Sequence, residues 1–498
     1  MISCNSAKKY NQYNNTPISV KKLHQDVDYL QKMFLTMHPD ADLYISKDSL
    51  NYLFKQAKSS ITTPISPIEY YSVIAPVITA VKQGHSRVIY PSNKITKQQV
   101  KAYKKTRGPL NQFTYQWIND TLFITENNTK NKNIPIGSAV LKINGIDPKS
   151  LFQNYIKNNA SDGFNTTYYN NGFNKRFGTL FTDKFGTLDS INFTLFCQDS
   201  IFKITNKRFK IEKENKAELK LAKRENKQKL KQNKRNKKIL GVVNNQLNRQ
   251  LLFPIPTDST YAVLKILSFN SGSYKKAYDS LFRTIKEKKI NHLVLDLKDN
   301  PGGLVADIDE LYSYLKTENI PLLSESSVTN KSKLPFHIIK GWPTWQYIAL
   351  APIFPPYYTW IYLNTKKDPT GNYQFKMSGL KTKKIKQNAY AGKLDILVNA
   401  GSFSASCIIT SNLQGSQRAK VFGEETGGTF NGTVAGVMPL LKLPNSKLKV
   451  RTGLMHIKPY KQTIKFGRGI FPDVPIKPTT DNILFNTNIE YQQIYKQK

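Results

Sequence analysis

Two short stretches of this 498-residue chain bring together groups that chemistry can use. The first, "LDILVNAGSFSASCIITSNLQ" (Leu394 to Gln414), reads as a buried strand, a small-residue turn and a helix. Ser402, Ser404 and Ser406 crowd the turn. A serine where a strand meets a helix gains an exposed hydroxyl beside unpaired N–H donors. That pairing suits attack on a carbonyl and stabilisation of the resulting oxyanion. As an N-cap, one hydroxyl would suffice. The second stretch, "HLVLDLKDNPGGL" (His292 to Leu304), is a strand that turns through Asn300-Pro301-Gly302-Gly303. Consecutive glycines let N–H groups face a ligand unobstructed, and at a helix amino end such donors favour negative charge. A tight strand–helix turn accounts for the glycines equally well on its own.

The elements that must position these groups follow from periodicity. From Thr260 onward strands and helices alternate: "YAVLKILSFN", "YKKAYDSLFRTIKEKK", "INHLVLDLKDN", "VADIDELYSYLKT", "LDILVNA". Continuous apolar strands between helices predict an α/β layer with a largely parallel sheet. Ligands in such sheets bind beyond the carboxyl ends of the strands, where both stretches fall. Upstream, "VKKLHQDVDYLQKMFLTMHP" and "IEYYSVIAPVITAVKQ" predict helices, and "GHSRVIYP" opens a short strand after Gly84. From Gly108 to Ile204 the pattern is rich in strands, with a hairpin turning at Asn119-Asp120 and a second turn at Asn144-Gly145.

The expected organisation is a flexible amino-terminal tail (1–17), a helical unit carrying Gly84-His85-Ser86 (18–107), a small β-rich unit (108–204), a basic insertion or linker (205–250), the α/β core (251–485) and a carboxyl-terminal tail (486–498). The most apolar stretch, Gly341 to Asn364, is interrupted by prolines and reads as loop and strand rather than a membrane span.

Composition narrows the function classes. Apolar residues make up 39%, enough for real cores. The net charge of +40 is spread widely, as expected where Lys is a generic surface residue. Lys203 to Lys238 is distinctive, with 16 Lys/Arg against 4 Glu. It reads as a solvated, partly helical insertion, or as a basic arm for nucleic acid, anionic lipid or an acidic substrate. Stacking aromatics are confined to Phe202 and Phe209, which argues against specific single-strand recognition. Cys4, Cys197 and Cys407 give neither zinc spacing nor a disulfide framework. No metal site is expected. The opening "MISC" resembles the end of a lipoprotein signal, with Cys4 as the lipidated residue. A cell-envelope or periplasmic lipoprotein is therefore expected, with a cytoplasmic protein as the alternative. Membrane association through Cys4 or the basic insertion belongs to the first expectation.

Taken in order, "LDLKDNPGG", "VNAGSFSAS" and "RAKVFGEETGG" resemble the serine peptidases of the carboxyl-terminal processing and tricorn group, which includes interphotoreceptor retinoid-binding protein. The closing "GRGIFPDVPI" resembles the group's terminal signature, and "IPIGSAVLKINGI" resembles a PDZ-like strand and turn. The landmarks spread over roughly Ile18 to Leu484. The resemblance implies a crotonase-like (ClpP-type) core, a PDZ-like unit at about Gly108 to Ile204, a protein or peptide substrate, and no cofactor. Residue by residue it implies Ser404 as nucleophile, and N–H groups of Ala405 and of Gly302 or Gly303 as oxyanion donors. Processing proteases carry a lysine base after Gly-Glu-x-Thr. Here that position is Thr429, so the tricorn-like branch fits better, with His85 as base; His456 is the weaker histidine. That branch also carries an acid where this chain has Phe466. Orientation of His85 then falls to Ser86, Asp473 or Glu424. A catalytically inactive ligand- or peptide-binding protein on the same scaffold is the alternative function. A third makes the basic insertion the working part.

Overall fold

The computed structural model describes residues 4–211, 227–462, 466–485 and 489–497. Its centre is a six-stranded sheet ordered Arg249–Leu252, Tyr261–Ile266, His292–Asp296, Lys393–Val398, Lys420–Gly423, Val474–Pro475. The first pair is antiparallel and the rest are parallel. Successive side chains on a strand face opposite ways, and here both faces are apolar. Ala262, Leu264 and Ile266 enter one core with Tyr278, Phe282, Leu311 and Ile408 from the helices Tyr274–Glu287, Val305–Leu315 and Ala405–Gly415. Tyr261 and Val263 enter the opposite core with Tyr491 and Ile494. The largely parallel sheet expected from the continuous apolar strands is therefore present.

An antiparallel sheet of five strands (Thr365–Lys367, Tyr373–Phe375, Leu323–Val328, Met455–Pro459, Thr433–Ala435) adds Phe375, Ala435, Met455 and Ile457 to the first core. The helices Val20–Met37, Lys47–Ser59 and Pro67–Thr79 form a separate core. That core also takes Val88, Leu441 and Val450, because strand Arg87–Ile89 pairs with Lys449–Arg451. Residues 113–207 build a five-stranded antiparallel sheet backed by helices Pro148–Asn158 and Thr167–Phe185. Its hairpin turns at Asn119-Asp120, both with positive φ.

Five expectations change. Residues 4–15 are a helix rather than a tail: Asn14 is buried and donates to the Pro91 carbonyl at 2.8 Å. Polar anchors of this kind leave no apolar stripe to read. The carboxyl-terminal stretch likewise holds a docked helix, Ile489–Tyr495, whose Tyr491 hydroxyl donates to the buried Asp296 carboxylate at 2.5 Å. The β-rich unit contains the 19-residue helix Thr167–Phe185, buried through Phe173, Phe177 and Phe181. Gly341 to Asn364 is helical at Thr344–Leu350 and Phe354–Leu363, because Pro343, Pro355 and Pro356 sit at helix starts, where no N–H is needed, and Pro352 falls between the two helices. The basic segment begins inside the sheet, since Ser200–Lys207 pairs along its whole length with Ser190–Cys197. It then includes the helix Lys227–Leu240. Residues 212–226 lie outside the described residues.

Candidate active site

The two strand ends are laced together by the side chains of their own turns. Asn300 is fully buried: its Nδ2 donates to the Ile266 carbonyl at 2.9 Å and its Oδ1 accepts the Gly302 N–H at 2.9 Å. Its carbonyl accepts from Phe403 N–H and from Ser406 Oγ, both at 3.0 Å. Ser402 Oγ donates to the Leu297 carbonyl at 2.7 Å and accepts from Asn399 N–H at 3.1 Å. The three serines thus divide. Ser402 and Ser406 are buried ties between adjacent strand ends, which leaves Ser404 as the hydroxyl at the cleft. Asn300 does much of this fastening and was not weighed from the sequence. Its position directly before Pro-Gly-Gly was the available signal.

Ser404 stands immediately before the helix Ala405–Gly415 with φ +56° and ψ −117°. A non-glycine residue held in a sparsely populated backbone region of this kind costs on the order of 1–3 kcal/mol and persists only where the surroundings impose it. The imposing neighbour is Gly302. A Cβ there would lie 2.7 Å from Ala405 N and 2.8 Å from Ser404 Cβ. The backbone of the glycine turn is thereby brought against the start of the serine's helix.

His85 arrives from the helical unit. Its Nε2 lies 3.1 Å from Ser404 Oγ. Three features place it. Strand Arg87–Ile89 pairs in register with Arg451 to Lys449. Arg451 Nε donates to the His85 carbonyl at 2.9 Å. Gly84 N–H donates to Asp162 Oδ1 at 2.7 Å. Gly84 also lacks room for a side chain, since a Cβ would sit 2.7 Å from Cζ of Phe403. The Phe403 ring meets the imidazole edge to face at 5.2 Å. Burial, then the guanidinium groups of Arg451 and Arg87, push the His85 pKa down to about 3. The imidazole is therefore neutral, with a lone pair available, at any ordinary pH.

The sequence-expected donors separate. Ala405 N–H is the first of its helix and has no intrahelical acceptor. Among the described residues, no carbonyl or side chain accepts the Gly303 N–H. The Gly302 N–H is already given to Asn300, which corrects its place as an oxyanion donor. Ser404, His85, Ala405 and Gly303 line one cleft of about 490 Å³. The rest of its wall is largely apolar, including Leu304, Val305, Phe375, Met377, Ile408 and Val437.

The proposed orienting groups are not brought to His85. Asp473 accepts from Val421 N–H and Gln414 Nε2, at the far end of the helix that Ser404 begins. Glu424 lines a different cavity with Asp299 and Glu490, and burial raises its pKa. Ser86 Oγ is bonded to Thr452 Oγ1 at 3.4 Å. Phe466 is exposed and packs against Tyr44. Thr429 is buried and donates to the Gly432 carbonyl. His456 bonds Asp40 through Nδ1 and lies outside the cleft lining. Asp162, missed from the sequence, is the acid that touches the histidine segment, through Gly84. Burial raises its pKa to about 7. Among the described residues no cluster of His, Cys, Asp and Glu could hold a metal ion.

A strained serine at a strand–helix junction, a neutral imidazole on its hydroxyl and free N–H groups beside it define a serine hydrolase arrangement on an α/β core. Residues 260–476, which carry both the serine turn and the glycine turn, match the model of peptidase family S41. Two solved structures superpose over nearly the whole molecule: mature CPAF (TM-score 0.61, 13% identity, 96% of this chain and 97% of that one) and mature CPAF complexed with lactacystin (0.61, 13%, 96% and 98%). The photosystem II D1 C-terminal processing protease aligns at a TM-score of 0.42 with 13% identity, over 93% of this chain and 94% of that one. No curated protein matches the chain. The site and the matched segment are those of a serine peptidase, and the fold is similar to that of mature CPAF.

Proposed function

We propose that the chain is an endopeptidase in which Ser404 is the nucleophile and His85 the general base. Ser404 Oγ adds to the carbonyl carbon of a peptide bond while its proton passes to His85 Nε2. The oxyanion is held by the N–H groups of Ala405 and Gly303. The imidazolium then returns the proton to the amine as the C–N bond breaks, leaving an ester on Ser404. Water, activated by the same imidazole, hydrolyses that ester. The observation that carries this reading is the 3.1 Å contact between His85 Nε2 and Ser404 Oγ. The apolar wall of the cleft favours an uncharged, apolar side chain next to the scissile bond.

The antiparallel sheet of residues 113–207 is read as a PDZ-like unit, and the α/β layer as a crotonase-like core. The edge strand Phe113–Ile118 borders a polar cavity of about 570 Å³ that also reaches Asp299 and Asn399 at the core strand ends. An extended peptide added along that edge would lead toward the catalytic turn. A place in the cell envelope, with Cys4 as a lipid attachment point, is part of the same proposal.

An active-site-directed fluorophosphonate tests the catalytic assignment. Labelling of wild type that vanishes in Ser404→Ala, and falls sharply in His85→Ala, supports it. Equal labelling of wild type and Ser404→Ala removes Ser404 from the mechanism.

A further inference from the structure

We propose that the helical segment between Lys331 and Lys367 is a monotopic membrane anchor that seats the protein on an anionic bilayer. The segment holds three of the chain's four tryptophans, Trp342, Trp345 and Trp360. It contains no Asp or Glu, and its five lysines, Lys331, Lys333, Lys340, Lys366 and Lys367, stand mostly at its two ends.

Leu334, Ile338 and Ile361 join the core, but other apolar side chains of this segment stay outside it. Trp345 is 66% exposed, Ile348 71% and Leu363 63%. Trp345 and Ile348 lie three residues apart on helix Thr344–Leu350, and Trp360 and Leu363 repeat that spacing on helix Phe354–Leu363, so each pair shares a face. The second helix is fastened beneath by the buried Ile361. Clustered exposed large apolar side chains on a protein surface mark contact with something apolar. Residue types and charge decide what that is. Indole and phenol rings concentrate at the membrane–water boundary, where an apolar body and a polar edge are both satisfied. Lys331, Lys333 and Lys340, with no Asp or Glu between them in the chain, are drawn to anionic headgroups. Lys331 already lies over the Tyr362 ring at 3.9 Å, with its ammonium at the rim of the apolar surface. Neither helix is long enough to span a bilayer, which leaves a surface-seated mode.

The patch also adjoins the cleft. The Trp360 ring meets that of Phe375 at 6.0 Å, and Phe375 forms part of the cleft wall. Seating on a bilayer would hold the cleft close to its surface, and so close to membrane-tethered chains.

The test uses flotation of the full chain with vesicles of phosphatidylcholine and phosphatidylglycerol, with pure phosphatidylcholine as comparison. Wild type should float with the anionic vesicles. Substituting Trp345→Glu, Ile348→Glu and Leu363→Glu together should weaken that association at least about tenfold. Brominated phosphatidylcholine within the anionic vesicles should quench wild-type tryptophan emission, a readout that does not depend on how the variant folds. Failure of wild type to float overturns the proposal. So does undiminished flotation of a folded triple variant, which would assign binding to the basic segment after Lys203. A wild-type dimer that the triple variant converts to monomer, with no vesicle binding, would assign the patch to a second copy instead. None of these readouts depends on peptidase activity.

Discussion

Ser404 Oγ and His85 Nε2 lie 3.1 Å apart across 319 residues of chain, and a strand pair sets that distance. Arg87 faces Arg451 and Val88 faces Val450, so the imidazole is registered to the same chain segment that runs on into the sheet over the cleft. Like charges directly opposite on a strand pair are unfavourable. Here they add to burial, the larger cause, in keeping the adjacent imidazole neutral.

Replacement of Ser404 should separate activity from stability. Ser404→Ala and Ser404→Gly should each lower kcat/KM for a peptide substrate by at least ~1000-fold. Only glycine relieves the strain at φ +56°. Ser404→Gly should therefore be more stable than Ser404→Ala by about 1 kcal/mol in urea denaturation. Equal stabilities would mean that the serine conformation is not strained.

The pH profile should be unusual for a histidine base. An ordinary imidazole protonates near pH 6.5 and loses activity below it. With His85 pushed down to about 3, the acid limb of kcat/KM should lie well below pH 5. Arg87→Gln removes one of the responsible charges and should move that limb upward. A wild-type limb between pH 6 and 7 would contradict the burial and charge arrangement described.

Much of the core was legible because its information is local. Continuous apolar strands, a Pro-Gly-Gly turn and a serine-rich helix start each lie within a dozen residues, and parallel pairing sets them side by side. The misreadings have equally local causes. Pro343, Pro355 and Pro356 suggested an interrupted stretch, yet they occupy helix starts. Phe173, Phe177 and Phe181 do repeat every fourth residue, but Gly172 and Gly178 lower helix propensity around them. The acids were sought by position along the chain. Asp473 is instead spent on Val421 N–H and Gln414, and Asp162 reaches Gly84 only through the tertiary fold.

The glycine turn should tolerate nothing larger at either position, for different reasons. Gly302→Ala places a methyl 2.7 Å from both Ala405 N and the Phe403 carbonyl oxygen, at φ +92°. It should destabilise the fold by on the order of 2 kcal/mol and displace Ser404. Gly303→Ala meets the Phe269 backbone at 2.5 Å and shifts a proposed oxyanion donor. Its kcat should fall by about 100-fold with little change in fluorophosphonate-independent substrate binding, since one donor is worth on the order of 3 kcal/mol in the transition state. An unchanged kcat in a folded Gly303→Ala protein would assign the oxyanion to other groups.

Asp162 should make stability fall as pH rises. Its carboxyl is raised by burial to about 7 in the folded protein, against an ordinary value of 3.8. Between those values the folded state holds a proton that the unfolded state has released, so stability declines from about pH 4 to about pH 7. The decline from this one group is on the order of a few kcal/mol. Asp162→Asn keeps an oxygen to accept the Gly84 N–H and removes the titration. Its thermal midpoint should vary less than that of wild type between pH 5 and pH 8, with the variant relatively more stable at pH 8. A variant whose midpoint declines as steeply as wild type would show that Asp162 is already ionised in the fold. The Gly84 N–H, next to His85 in the chain, would then donate to a buried negative charge.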